Sequence, residues 1–302
     1  MYKFLFRFFS IFCFTYIFSS SIAGDSFEYN SYNNHGVVGL INMPTARFYN
    51  EQVHGITIYN GDPIQKVTLS SNPYDWLEAS FFYTKVKDKP YCDQTFDEVC
   101  QQDYIDKGFN FKLRIKEEGI LPALAIGIND IAGTGFFSSE YIVASYGIDN
   151  IDFHFGLGWG EMNGSENKIQ NPLGYIYDSF KYRPLERIKE GGQFQPSRYF
   201  SGQKASPFYG LTYAHNDKLI FKIETDVTST EADGNIDYDL PNSKYSFGIE
   251  YSYNKNFSFG ISRERDNYIS LKFIYKNNPS KSKKIYKYKK AEVSESDDKY
   301  TK

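Results

Sequence analysis

Apolar and polar residues alternate along much of the chain, which is the pattern of β-strands with one apolar and one polar face. Between Ile151 and Trp159, for example, every second residue is apolar. No segment past the N-terminal region repeats its apolar residues at the helical period of about 3.6. Twelve strands are predicted: Val53–Asn60, Gln65–Ser71, Tyr74–Val86, Ile105–Lys116, Leu121–Ile128, Glu140–Gly147, Ile151–Trp159, Pro207–His215, Lys218–Glu224, Tyr245–Ser252, Asn256–Arg263 and Tyr268–Tyr275.

The connections between these strands favour a membrane barrel over a soluble sandwich, which alternation alone does not distinguish. Minimal turns are predicted at Asn72-Pro73, Glu118-Gly119, Ile148-Asp149, Asn216 and Asn254-Lys255, and longer polar stretches at 87–104, 129–139, 160–206 and 228–242. Short turns at one rim and long loops at the other are typical of barrels that cross the outer membrane. We therefore predict an all-β fold, a transmembrane antiparallel up-and-down β-barrel of about 12 strands over residues 53–275.

The two ends of the chain predict further segments. Lys3 and Arg7 precede an apolar stretch, and Ser21-Ile22-Ala23 offers a cleavage site, so residues 1–23 are predicted to be a secretory signal peptide. A short membrane anchor is the alternative. Residues 24–52 form a periplasmic or plug-like leader, and the lysine-rich residues 276–302 form a disordered tail or bind an anionic partner.

Composition is consistent with a barrel of this kind. Of the 302 residues 19% are aromatic, and the formal net charge is −3. So many aromatic residues argue against disorder, and the near-neutral charge argues against nucleic-acid binding. In an outer-membrane barrel, Tyr and Phe supply the lipid-facing band and its interfacial girdles.

Cysteine and histidine usage bounds the chemistry. Cys92 and Cys100 form an even pair in an exported chain, which predicts a disulfide; a metal site is a weaker alternative. No metal-ligand spacing or phosphate-binding glycine loop is recognised, so no metal or cofactor is predicted. His154 lies near Asp152, but the sequence places no Ser with them, and no catalytic residue is assigned.

If the apolar rows face lipid, the polar rows face the lumen. The lumen-facing candidates are Glu78, Lys112, Arg114, Asp152, His154, Lys222, Glu224, Glu250 and Lys272. They predict a salt-bridge network that fills the barrel, contacts with a hydroxyl-rich glycan, or both, since twelve strands fall between packed and open barrels. The long 160–206 loop offers four candidate glycan contacts, Tyr175, Tyr177, Tyr182 and Tyr199. The alternative is that its aromatic residues pack the loop into the barrel mouth as a plug or lid.

Several segments together resemble the YjbH family of exopolysaccharide-biosynthesis proteins. They are Gly36–Arg47, Trp76–Phe81, Leu121–Gly127, Gly133-Thr134-Gly135, Gly156–Gly160 and Phe200-Ser201-Gly202. The resemblance implies an outer-membrane barrel in the secretion of extracellular or capsular polysaccharide. Family members often run longer and look like two fused barrels, whereas one barrel is predicted here.

The family role also implies partners, the polysaccharide and periplasmic export proteins. The predicted barrel adds outer-membrane lipid, and the charge leaves nucleic acid out. Three alternatives remain open at this point. They are a general solute porin, a non-conducting structural barrel, and a barrel that carries a lipid- or glycan-modifying enzyme.

Overall fold

The computed structural model describes residues 29–50, 52–90, 103–184, 194–229 and 243–279. The predicted signal peptide, the predicted disulfide and most of the predicted tail lie outside these residues. The strands are β1 Val53–Asn60, β2 Ile64–Tyr74, β3 Leu77–Pro90, β4 Asp103–Lys116, β5 Ala123–Ile131, β6 Ser139–Ile148, β7 Ile151–Gly160, β8 Ile169–Gln170, β9 Lys204–Ala214, β10 Leu219–Thr225, β11 Tyr245–Ser252, β12 Phe257–Glu264 and β13 Tyr268–Asn277. Three short 3₁₀ helices lie between β8 and β9, at Pro172–Tyr175, Asp178–Lys181 and Pro196–Arg198.

Twelve of these strands form a closed antiparallel barrel, as the alternation predicts. Consecutive wall strands pair along the chain, with β7 beside β9, and β13 returns to pair with β1 through contacts such as Ile56↔Tyr275. The two-residue β8 pairs only with β9 and lies outside the wall. Among the described residues no helix is long and apolar enough to cross a membrane.

Side chains on the wall strands alternate between an exposed apolar outer face and a buried polar inner face. On β4, Phe109 and Phe111 are exposed on the outside, while Asn110 and Lys112 are buried inside. An apolar outer belt is what a membrane-spanning barrel presents to lipid. On this strand the apolar row faces outward and the polar row faces inward.

One predicted turn is wrong. β2 continues through Asn72 and Pro73 to Tyr74, which pairs with Leu77, so the chain reverses at residues 75–76. The register shifts between Ser71 and Tyr74. Pro73 has no N–H to give to a ladder, and an irregularity at this point keeps it within the strand.

The connections divide between two rims. Residues 75–76, 117–122, 149–150, 215–218 and 253–256 connect strands at what we call the short-turn rim. The opposite rim, which we call the loop rim, carries the long loop, residues 161–203, and the 132–138 connection. β1 begins and β13 ends at the short-turn rim, because an even number of wall strands returns the chain to its starting side.

Residues 29–50 are the described part of the predicted leader, and from here on we use the name leader for these residues alone. They lie inside the barrel. Leu40 and Met43 share a buried apolar cluster with Ala125, Tyr141 and Phe208 of the wall. Isolated bridges, Tyr32↔Val38 and Gly39↔Pro44, fold the leader back on itself. The largest buried apolar cluster is therefore formed between the leader and the inner wall.

Glycines on the inner wall leave room for the leader. A Cβ atom on Gly55 would lie 2.3 Å from the ring of Tyr32, and one on Gly248 would lie 3.0 Å from Ile41. A larger inward residue at either position would occupy space that leader side chains fill.

Candidate functional site

The candidate site is the lumen of the barrel together with the leader that fills it. Eight of the nine predicted lumen residues are buried on the inner face: Glu78, Lys112, Asp152, His154, Lys222, Glu224, Glu250 and Lys272. The ninth, Arg114, is partly buried, and its guanidinium lies 4.8 Å from the ring centroid of leader Phe48. The structure thus gathers all nine around the leader.

Lumen lysines bind carbonyl oxygens of the leader. Lys112 Nζ donates to the carbonyls of Val38 at 2.9 Å and Arg47 at 2.8 Å. Lys222 Nζ donates to the carbonyls of Gly39 and Leu40 at 3.0 and 3.1 Å, and Lys272 Nζ to that of Tyr32 at 2.7 Å. Buried backbone carbonyls need a donor, and the wall provides it here through side chains instead of a strand ladder.

Lumen carboxylates bind the backbone N–H groups of the same segment. Glu224 accepts hydrogen bonds from the backbone nitrogens of Ile41 at 2.9 Å, Asn42 at 2.8 Å and Met43 at 3.1 Å. Glu78 accepts one from Val38 at 2.6 Å. Charged acceptors make these hydrogen bonds stronger than neutral ones.

The buried charges also neutralise one another. Lys112 Nζ lies 2.7 Å from a Glu78 carboxylate oxygen, and neither side chain is exposed. Glu250 lies between Lys222 and Lys272, with Nζ to carboxylate distances of 3.5 Å to each. Buried charges are tolerated when they are paired and hydrogen-bonded. These pairs form a network of buried charges around the leader.

The leader contributes its own cation to the network. Arg47 Nε and Nη2 donate to the two carboxylate oxygens of Asp152 at 2.8 and 2.7 Å, and Arg47 also pairs with Glu118. This two-pronged contact fixes the orientation of the guanidinium as well as its position.

His35 of the leader contacts another buried cation of the wall, Lys66. Burial, together with the neighbouring Lys66 ammonium, lowers the pKa of His35 well below its ordinary value. The neutral ring can therefore accept a hydrogen bond at Nδ1 from Lys66 Nζ, 2.9 Å away. Lys66 Nζ also lies 4.8 Å from the ring centroids of Phe82 and Phe137, a cation–π arrangement.

A serine, a histidine and a carboxylate come together in the lumen, which the sequence does not indicate. Ser145 Oγ lies 2.8 Å from His154 Nδ1, and His154 Nε2 lies 3.5 Å from Asp152. Ser145 and His154 meet because they are register partners across β6 and β7. A hydrolytic triad needs such residues, but its serine must also reach a substrate.

In this structure Ser145 and Asp152 are hydrogen-bonded to leader residues. Ser145 Oγ accepts the backbone N–H of Ala46 at 2.9 Å, and both carboxylate oxygens of Asp152 bind Arg47. Ser145 is 1% exposed, so its oxygen is closed to a substrate carbonyl. Within the described residues no group of three or more His, Cys, Asp or Glu side chains is arranged to hold a metal ion.

The long loop is anchored to the wall by one buried carboxylate. Glu140 on β6 accepts hydrogen bonds from Arg183 Nη1 at 2.7 Å, from Arg183 Nη2 at 3.1 Å and from the backbone N–H of Phe200 at 3.0 Å. Asn171 Nδ2 further binds the carbonyls of Phe180, Phe200 and Gly202. The described parts of the loop thus have a defined shape.

The four candidate tyrosines of this loop differ in exposure. Tyr175, Tyr177 and Tyr182 are each more than two-thirds exposed, while Tyr199 is partly buried and packs against Phe194. The segment that fills the lumen is the leader rather than these side chains.

Comparison with known proteins places the chain in a family. Residues 31–302 match the sequence model of the YjbH family, described as exopolysaccharide biosynthesis protein YbjH. A relative from Escherichia coli strain K12, "Uncharacterized lipoprotein YjbH", is 32% identical over 265 residues, which are 82% of this chain and 37% of the relative. The chain therefore spans little more than a third of the length of that relative.

Solved structures similar to this chain include two porins. The KdgM porin aligns with a TM-score of 0.38 at 8% identity, and the NanC porin with a TM-score of 0.35 at 12% identity. Each alignment covers 74% of this chain and 97% of the porin. On the extent of the family match, the chain belongs to the YjbH exopolysaccharide-biosynthesis family.

Proposed function

We propose that this protein is an outer-membrane β-barrel that takes part in the export of an exopolysaccharide or capsule, by forming or supporting a passage for the glycan. Its lumen holds its own leader in this structure. Membership of the family supports the role in exopolysaccharide biosynthesis. The apolar outer belt and the predicted signal peptide support the location.

One observation carries the proposal of a passage: charged side chains of the inner wall bind the backbone of the leader. Lys222 and Glu224 bind backbone carbonyl and N–H groups of residues 39–43, rather than pairing only with other wall residues. Polar contacts of this kind can be exchanged for contacts with water or with sugar hydroxyls, because those groups also donate and accept hydrogen bonds. A lumen filled by wall side chains alone would offer no such exchange.

The main alternative is a non-conducting structural barrel, which the filled lumen favours. A general solute porin is a second alternative. We propose a non-enzymatic role, because the Ser145, His154 and Asp152 side chains are engaged with the leader. The partners in this proposal are outer-membrane lipid, the polysaccharide and periplasmic export proteins.

The test is the distribution of polysaccharide in a strain that lacks the protein. Complementation with the wild-type chain should return the glycan from the periplasm to the medium. Unchanged amounts in both compartments would contradict a role in export.

Single-channel recording of the mature protein in planar bilayers then separates the alternatives. Openings that purified polysaccharide blocks support a glycan passage. Openings indifferent to the polysaccharide indicate a solute porin, and a folded barrel that never opens indicates a structural role.

A further inference from the structure

A cavity of about 260 Å³ lies at the loop rim, where the 132–138 connection and the end of β7 meet the long loop. We call it the rim cavity. Its lining includes Ser138, Glu161, Asn163, Lys168, Arg183 and Ser201. None of these residues belongs to the leader or to the predicted lumen set, and Glu161 also borders a smaller cavity that leader residues His35, Asn42 and Met43 line.

Hydrogen-bonding groups of both kinds surround this cavity. Hydroxyl groups and the Asn163 amide can donate or accept, the Lys168 ammonium donates, and Glu161 and Arg183 place charges of both signs in the lining. The ring of Phe136 adds an apolar part of the wall. A pyranose ring presents hydroxyl groups that donate and accept, together with apolar C–H faces, so its chemistry complements such a lining.

The size of the cavity also suits one sugar ring. Pockets that enclose drug-sized ligands usually measure about 300–1,000 Å³, and the rim cavity is slightly smaller than that range. Gly135 and Gly202 border the cavity, so bare backbone replaces side chains at two places in its wall. Their φ angles of 78° and 125° lie in the region that favours glycine. A Cβ atom on Gly135 would contact nothing within 4 Å.

The walls of the cavity are held in place from several directions. The two-pronged contact of Arg183 with Glu140 fixes one side, and Ser201 Oγ donates to the carbonyl of Arg198 at 2.7 Å. On another side, Asn163 Oδ1 accepts a hydrogen bond from Ser206 Oγ at 2.9 Å. A pre-formed site loses less entropy when a ligand binds.

We propose that the rim cavity binds one pyranose unit of the polysaccharide, with Lys168 and Asn163 donating to its oxygen atoms. The choice of a sugar as the ligand rests on the proposed function. Under that proposal the loop rim faces the outside of the cell, because short turns of such barrels lie in the periplasm. The site would hold the glycan at the outer end of the lumen.

Trp159 offers a reporter for binding. It is fully buried and packs edge-on against Phe200, with ring centroids 5.4 Å apart, next to cavity residues Gly160 and Ser201. The chain has two tryptophans, and the other, Trp76, lies at the short-turn rim. The Trp76→Phe variant of the full mature chain therefore reports on this region alone.

The experiment titrates this variant with oligosaccharides made by partial acid hydrolysis of the secreted polysaccharide, and with dextran oligosaccharides of equal size. We expect a saturable change in fluorescence with the first probe. Lys168→Met should weaken binding about tenfold, because one charged hydrogen bond is lost. Lys181→Met is the matched control, since Lys181 lies on the same loop, outside the cavity, and pairs with Asp178; its affinity should stay unchanged.

Asn163→Asp gives a second test on a different side of the cavity, because it keeps an oxygen that accepts from Ser206 Oγ and removes the amide donor. Absence of saturable binding to both probes, or binding that neither cavity variant weakens, would overturn the inference. Equal affinity for the dextran oligosaccharides would show a sugar site without selectivity for the secreted glycan. The secretion test separates the two proposals: export that depends on the protein without sugar binding refutes only the rim site, and binding without an export defect refutes only the function.

Discussion

The hydrogen bonds between the leader and Glu224 allow a direct test of whether the leader blocks the lumen. Glu224 is 1% exposed and receives three backbone N–H groups, two on Oε2 from Ile41 and Met43 and one on Oε1 from Asn42. The Glu224→Gln variant keeps the size of the side chain but removes its charge. One of its two oxygens becomes an NH₂ group, which cannot accept a hydrogen bond.

The expected effect follows from these contacts. At least one buried N–H loses its acceptor, and the remaining hydrogen bonds lose their charged partner, which together amounts to about 2–5 kcal/mol. Because a factor of ten corresponds to about 1.4 kcal/mol, the ratio of displaced to seated leader should rise by roughly 30-fold or more. The barrel wall should remain intact, since its strand ladders do not involve this carboxylate.

Two assays measure the displacement. Open probability in planar bilayers should increase, and trypsin should cleave after Arg47 more quickly, because this buried residue becomes accessible when the leader leaves. Asp106→Asn is the matched control. Asp106 is also a buried inner-face carboxylate, but its donors, the Lys107 backbone N–H and Thr134 Oγ1, lie outside the leader.

The reasoning would be refuted if Glu224→Gln and Asp106→Asn behaved alike in both assays. Faster cleavage without openings would mean that the leader leaves but the lumen still does not conduct. That outcome would favour the structural barrel over the passage.

Three other predictions test the lipid face, the space for the leader and the loop anchor. Phe153→Arg places a cation on the outer face and should destabilise the folded barrel by about 2–4 kcal/mol near mid-membrane. Heat-modifiable electrophoresis should show a lower folded fraction for this variant and a normal one for Phe153→Leu. Equal folded fractions would contradict the assignment of Phe153 to the outer face. Gly55→Ala places a methyl group 2.3 Å from the ring of leader residue Tyr32, so the leader fits the lumen less well. We therefore expect a higher open probability. Gly119→Ala, which would meet nothing within 4 Å, should not raise it, and similar traces would argue against a tight fit. Glu140→Gln leaves Arg183 with a neutral partner and should therefore speed trypsin cleavage in the long loop. Cleavage after Arg47 should not change. An unchanged rate of cleavage in the loop would contradict the role of Glu140 as its anchor.

Residue pairings in the lumen show the limit of inference from sequence. Asn42 meets Glu224 across 182 positions, and Ser31 meets Glu250 across 219. Residues 36–41 of the leader carry no strand or helix period that would give them a location. The predicted choice between a plug and a periplasmic segment could therefore not be made from the pattern of residues.

Register produced similar gaps. Ser145 becomes a neighbour of His154 only because the β6–β7 turn falls at residues 149–150 and aligns them. Asn72 and Pro73 predict a turn, yet the register shift beside them lets β2 continue to Tyr74. Shifts of one or two residues alter which side chains meet without changing the alternation from which strands are predicted.

The sequence by itself determined the twelve wall strands, the membrane-type barrel and the face on which each predicted lumen residue lies. These are local properties, because successive side chains of a strand point to opposite sides whatever the strand pairs with. Only the tertiary structure decided that the leader fills the lumen, that wall lysines and glutamates bind its backbone, and that the loop rim encloses a polar cavity. Those features depend on where distant segments meet once the sheet has closed, and local periodicity carries no information about such distances.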